Sequence, residues 1–124
     1  MDRLLYIGAG VAAFLGVLLG AFAAHSLKAI LAPDMLAVFD TAVRYQMYHA
    51  FALFAAAAGW ARWPSKIFAI AGALFTLGIV LFSGSLYLLA LTGTRWLGAI
   101  TPLGGVAFLA GWLCLIIGAF RAAR

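Results

Sequence analysis

The sequence predicts an all-α integral membrane protein: a four-helix bundle with a short amphipathic helix between its first two spans. Three observations lead there. Of the 124 residues, 68% are hydrophobic and only 9% charged, where a water-soluble domain carries about 25% charged residues. Three uncharged runs each match or exceed the ~20 residues that cross a bilayer as a helix. Nowhere do ten-residue segments of alternating polarity suggest a membrane barrel, so the backbone groups inside lipid must be satisfied within helices.

The spans are expected at residues 4–24, 42–61, 67–91 and 96–120 of a single transmembrane domain, residues 1–124. The first opens after Arg3 and runs without a charge to Ala24. Ala21-Phe22-Ala23 has the small-x-small form of a signal cleavage site, but the apolar run is longer than a signal core and is expected to stay as a span. After His25, residues Ser26 to Ala32 form the short amphipathic piece. Pro33-Asp34 then reads as a helix start, with Asp34 as cap or first-turn acid. Helical spacing through Leu36, Phe39 and Val43 leads into the second span, which only Gln46 and His49 interrupt. Pro64 punctuates the next connector, and Thr92-Gly93-Thr94 breaks the chain between the third and fourth spans.

Small residues mark the seams, because lipid removes the hydrophobic drive between helices and leaves close backbone contact to replace it. In the first span Gly8, Ala12, Gly16, Gly20 and Ala24 recur every fourth residue. Ala71, Gly78 and Ser85 in the third, and Gly104, Gly111 and Gly118 in the fourth, recur every seventh, the period of left-handed packing. These stripes are expected first to pack the monomer, with a homo-oligomer seam as the alternative.

The net charge of +5 is read as topology, not as a nucleic-acid surface. Four spans put Arg3, Arg62, Lys66, Arg121 and Arg124 on one side, with Lys28, Arg44 and Arg95 on the other. That excess places both termini in the cytoplasm. Trp60 and Trp63 near one boundary and Trp96 near the other fit the aromatic belts.

With this orientation the polar residues cluster in the outer half: His25, Gln46, His49, Ser83, Ser85, Tyr87 and Thr101. Polar side chains are costly in lipid and face the bundle interior or a watered cavity. Two readings stay open: a polar pocket open to the outer side, or interhelical hydrogen bonds acting as glue. His25, Arg44, Gln46, His49, Ser83 and Tyr87 are the candidate ligand-binding residues. Asp40 and Arg44, at i and i+4, suit a helix ion pair, and His49 is expected to hydrogen-bond Tyr45 one turn back.

Two histidines fall short of the ligands a zinc site needs without carboxylates or a second subunit, so no metal is expected; haem held between His25 and His49 is geometrically possible if both helices face one core. No cofactor is assigned. Gly8-Ala9-Gly10 looks like a dinucleotide-binding turn but lacks the strand before and alternating domain around it. No nucleophile, base and orienter stand at a readable spacing, and Ser83-Gly84-Ser85 lacks the strand and elbow of a hydrolase. No catalytic residue, and no enzyme, is expected.

Four ordered motifs carry a family likeness: Gly20-Ala21-Phe22-Ala23-Ala24-His25-Ser26-Leu27, Tyr45-Gln46-Met47-Tyr48-His49-Ala50, Phe82-Ser83-Gly84-Ser85-Leu86-Tyr87, and Gly98-Ala99-Ile100-Thr101-Pro102-Leu103-Gly104-Gly105. Together they resemble the small bacterial inner-membrane proteins called domain of unknown function 423, akin to the eukaryotic transmembrane protein 256 group. That pattern usually has glycine where this chain has Ala23. The resemblance implies four membrane helices, an inner-membrane location and no settled activity, and it singles out His25, Gln46, His49, Ser83 and Tyr87 without giving them roles.

The functional expectation is the binding or passage of a small polar molecule, ion or lipid headgroup through the outer-half cluster. The alternatives are a structural or accessory subunit of a larger membrane complex, and a haem- or quinone-binding redox module. The lipid bilayer is the one partner the composition requires.

Overall fold

The computed structural model describes all residues, Met1 to Arg124, as helices and short connectors. We number them α1 (Asp2–His25), α2 (Pro33–Arg62), α3 (Lys66–Thr92) and α4 (Thr101–Ala122). Three stretches are long and apolar enough to cross a membrane: Asp2–Ala29, Lys66–Thr92 and Arg95–Ala122. The exception is α2, whose hydropathy is lowered by Gln46, His49 and its flanking charges. Its 30 residues reach about 45 Å at 1.5 Å per residue, more than the ~30 Å hydrocarbon thickness.

The ends follow local chemistry. Pro33 opens α2, where its missing N–H would be unpaired anyway. Ala32 before it is extended, at φ −59° and ψ 151°, as a residue preceding proline prefers. That restriction corrects the expected amphipathic helix: only one 3-10 turn, Leu27–Ala29, fits between α1 and Pro33. Leu27 is buried there, while Ile30 is exposed. Gly93 closes α3 at φ 71°, the one positive φ in the chain, a conformation glycine adopts without steric cost. A 3-10 turn, Arg95–Ala99, then precedes α4, so the regular helix starts at Thr101 and not near residue 96.

The four helices pack in chain order. α1 lies against α2, α2 against α3, and α3 against α4, while α1 and α4 share no packed interface. The arrangement is therefore an open array centred on α2 and α3. Large apolar side chains such as Phe14, Val17, Leu109 and Ile116 point outward from the two flanking helices.

At the α3–α4 seam, packing is a reciprocal fit of glycine and phenylalanine. A Cβ at Gly104, Gly111 or Gly118 would strike Phe82, Phe75 or Phe68, and one at Gly78 would strike Phe108. Both sets step by seven residues in opposite directions, as antiparallel helices require. On α1 the stripe is used only in part: Gly16 and Gly20 meet Met47 and Val43 of α2, whereas Gly8 has nothing within 4 Å of a Cβ. Leu5, Ala9, Leu53, Ala56, Ala71, Phe75 and Phe108 join the larger apolar cluster. A smaller one, Ala23, Leu27, Phe39 and Ala90, caps the end where α1 turns into α2.

Candidate functional site

Between the two apolar clusters lies a tier of hydrogen-bonded polar side chains. Gln46 is its centre. Its Nε2 donates to the Ala12 carbonyl of α1 at 2.9 Å, and its Oε1 accepts from the Tyr87 hydroxyl of α3 at 2.6 Å. One buried amide thus ties three helices. Four residues earlier on α2, the Ala42 carbonyl accepts from the fully buried Ser83 hydroxyl at 2.7 Å.

Ser83 ends a π-helical turn, Ile79–Ser83, in which the Gly84 N–H reaches back five residues to the Ile79 carbonyl. Such wide turns recur at functional sites; here the turn occupies the α3 segment that meets α2 and α4. Ser85 and Thr101 join α3 to α4 through their hydroxyls, 2.6 Å apart. No buried side-chain nitrogen or oxygen lacks a partner. The tier is closed, with the Leu27–Phe39 cap over it and the larger apolar cluster beneath.

His49 belongs to the same helix but faces α4. Its Nδ1 lies 2.7 Å from the Tyr45 carbonyl, the bond one turn back that the spacing predicts. A carbonyl only accepts, so Nδ1 carries the proton and Nε2 has a free lone pair. That lone pair accepts the indole N–H of Trp112 at 3.1 Å. The Phe108 ring lies flat on the imidazole, with centroids 3.4 Å apart and planes 8° apart. The imidazole is thereby held in position by one carbonyl and one ring face.

The structure brings Gln46 and Tyr87 into direct hydrogen bonding, places Ser83 in the same tier on the Ala42 carbonyl, and sets His49 beside it at the α2–α4 contact. His25 and Arg44 are exposed, outside that tier. Asp40 and Arg44 do not form the ion pair that their spacing suggests, the sole pair within 4.0 Å being Met1 with Asp2. His25 also stands thirteen residues beyond Ala12 on α1, about 20 Å along the axis from the level of Gln46. A single haem between His25 and His49 does not fit, and no group of three or more potential metal ligands exists.

A lateral cleft opens elsewhere, on the side of the array between α2 and α4. It encloses about 600 Å³ and is lined by Tyr45, Tyr48, His49, Phe82, Phe108 and Trp112, with Gly105 and Val106 among the others. Of the six candidate residues only His49 reaches it. Reading the sequence for polar residues passes over this cleft because its walls are aromatic. One signal was available: Trp112 stands in the middle of an apolar span, away from the boundaries where Trp60, Trp63 and Trp96 lie, so its N–H needs a partner inside the protein.

Residues 19–105, which include α2, α3 and the first turn of α4, match the family model described as a protein of unknown function, DUF423. The chain belongs to the DUF423 family. Its relatives include the UPF0382 membrane protein YwdK of Bacillus subtilis, 46% identical with 98% of each chain covered. The UPF0382 inner membrane protein YgdD of Escherichia coli is 40% identical over 99% of this chain and 94% of its own. A UPF0382 membrane protein of Staphylococcus haemolyticus is 46% identical over 82% of this chain and 83% of its own. No solved structure matches the chain. The DUF423 match spans all of the polar tier except Ala12, and stops at Gly105, short of Phe108 and Trp112. The half of the cleft that α4 supplies beyond Gly105 thus lies outside the matched segment.

Proposed function

We propose that this DUF423 protein is a four-span inner-membrane protein, with both termini in the cytoplasm, that holds a membrane-borne amphiphile in the cleft between α2 and α4. The observation that carries this reading is the contrast between a polar tier in which every buried side-chain nitrogen and oxygen already has a partner within the protein and an aromatic cleft of about 600 Å³ open at the side of the array. That volume lies within the usual range of small-molecule sites. Passage of an ion or small polar molecule through the tier has less support, because apolar clusters close it at both ends.

The fourth span is α2. Its polar residues Gln46 and His49 are buried against neighbours, so its low hydropathy reflects a central position in the array and not a seat in water. The inner-membrane location draws on YgdD, which is called an inner membrane protein. The orientation draws on the excess of basic residues at the terminal end.

Native mass spectrometry after gentle extraction tests the proposal. The wild-type protein should retain a reproducible extra mass. Gly105→Leu, which fills the cleft, should lose it, and Ile116→Trp, on an exposed part of the same helix, should keep it. Equal retention by both variants, or no retained mass in any of the three proteins, would overturn the reading.

A second reading, an accessory subunit of a larger membrane complex, draws on the absence of an α1–α4 interface, which leaves both flanking helices open to a partner. The same spectra test it: a stoichiometric protein partner supports it, and a chain that leaves the membrane alone sinks it.

A further inference from the structure

We infer that the cleft between α2 and α4 selects a neutral ligand bearing a hydroxyl on an aromatic ring, a phenol-type membrane amphiphile, whose hydroxyl inserts between Trp112 and His49. The inference deepens the proposed function and rests on it. Its starting point is the hydrogen bond from Trp112 Nε1 to His49 Nε2, the only one that joins α2 to α4 among the side-chain and connector bonds of the molecule. Both residues line the cleft.

The chemistry of that pair restricts what can part it. Because Nδ1 is committed to the Tyr45 carbonyl, Nε2 offers only a lone pair, while the indole offers only an N–H. A group entering between them must accept from Trp112 and donate to His49. A hydroxyl does both with one oxygen. A ketone or ether accepts from the indole but leaves Nε2 unpaired. A charged headgroup fails for another reason: no Asp, Glu, Lys or Arg lines the cleft, the one imidazole being already committed to Tyr45 and Trp112, and an uncompensated ion in an apolar site is costly.

The aromatic part of the assignment comes from the walls. Tyr45, Tyr48, Phe82, Phe108 and Trp112 contribute ring faces and edges to the cleft, and aromatic rings pack on one another through offset or edge contacts. The volume admits a ring and part of an alkyl chain, and the open side lets the rest of the chain lie among lipids.

The pair also differs in mobility. His49 is fixed by the Tyr45 carbonyl and the stacked Phe108 ring. Trp112 is 41% exposed; besides its hydrogen bond, it makes edge contacts with Phe75 at 5.2 Å and His49 at 5.9 Å. Insertion of an oxygen would widen the present 3.1 Å separation to about 4.5–5 Å, two hydrogen bonds meeting at one atom. Rotation of the indole supplies that opening while the imidazole stays in place. One hydrogen bond is lost and two form, so no polar group is left unpaired once the hydroxyl is seated.

The test uses the full chain in phosphatidylcholine nanodiscs with nitrogen-15-labelled tryptophan, reading the indole N–H signal of Trp112 by NMR, assigned by its absence in Trp112→Phe. The probes are a long-chain alkylphenol and its O-methyl ether, which differ only in the donor. The phenol should shift the Trp112 signal saturably and bind about fivefold tighter than the ether, as one net hydrogen bond predicts. His49→Phe should abolish that preference while the other three indole signals stay in place, showing an intact fold.

Equal binding of phenol and ether overturns the hydroxyl inference and leaves the cleft reading standing. No saturable shift with either probe overturns both. The probe comparison is made on the wild-type protein, so it reads out even if a variant fails to fold.

Discussion

The α3–α4 seam and the α2–α4 contact are built from the same residue types, yet one is closed and the other open. At the seam each glycine of α4 receives a phenylalanine of α3, and Gly104 approaches so closely that a Cβ would meet the Phe82 backbone. One residue on, a Cβ at Gly105 would have only the Phe82 ring edge at 4.0 Å, and the space beyond is the cleft. Glycine closes a helix pair when a bulky partner sits opposite, and opens a hollow when none does. The contact across that hollow is made by the Phe108 ring stacked on His49 and by one side-chain hydrogen bond, Trp112 to His49.

The largest effect should come from breaking the closed seam. Gly104→Val sets a branched side chain against main-chain atoms, which cannot rotate away, and should cost about 3 kcal/mol or prevent folding. Reversible unfolding in mixed micelles reads this, with Gly105→Ala as the contrasting substitution, expected to change stability by less than about 0.5 kcal/mol. Similar losses at both positions would mean that the two sides of α4 are packed alike.

Next comes the tie that positions α2 between its neighbours. Gln46→Leu removes both interhelical bonds and leaves the Tyr87 hydroxyl without its acceptor, a loss of about 1–2 kcal/mol. Combined with Tyr87→Phe in a double-mutant cycle, it should show a coupling of about 0.6–1.7 kcal/mol. Additive losses would place the two side chains in separate environments.

A smaller effect on stability is expected from Trp112→Phe, about 1 kcal/mol or less, since one partly exposed bond is lost. Its effect on retained ligand should be far larger, and that division between stability and binding is what separates the open contact from the closed one. The smallest change is expected at Gly10→Ala, where a Cβ meets nothing within 4 Å; stability should stay within about 0.5 kcal/mol.

The heptad glycines were legible because close approach in lipid leaves a strict residue pattern, and the observed seam follows Gly104, Gly111 and Gly118 in register. The α1 stripe was legible only in part. Its four-residue period is the same at Gly8 as at Gly16 and Gly20, but α2 stands opposite Gly16 and Gly20 and not Gly8. Ala23, where the family pattern usually has glycine, is fully packed in the smaller cluster. Gln46, Ser83 and Tyr87 could be grouped by their depth along the spans, whereas His25 and Arg44 share that grouping without joining the tier, because depth gives height on a helix and not the direction it faces. Trp112 escaped notice for the opposite reason: its ring matched the apolar span around it, and only its N–H required a partner.

The sequence by itself determined the helical class, the three long apolar stretches, the breaks at Pro33 and Gly93, and the glycine seam, since each follows from local backbone chemistry or from a periodic pattern along one helix. The tertiary structure decided that α1 and α4 stay apart, that the polar tier is closed, and that an aromatic cleft bridged by the Trp112–His49 hydrogen bond opens beside it. Those features depend on which faces of different helices meet. That is set by the whole array of contacts at once, and no single stretch of chain encodes it.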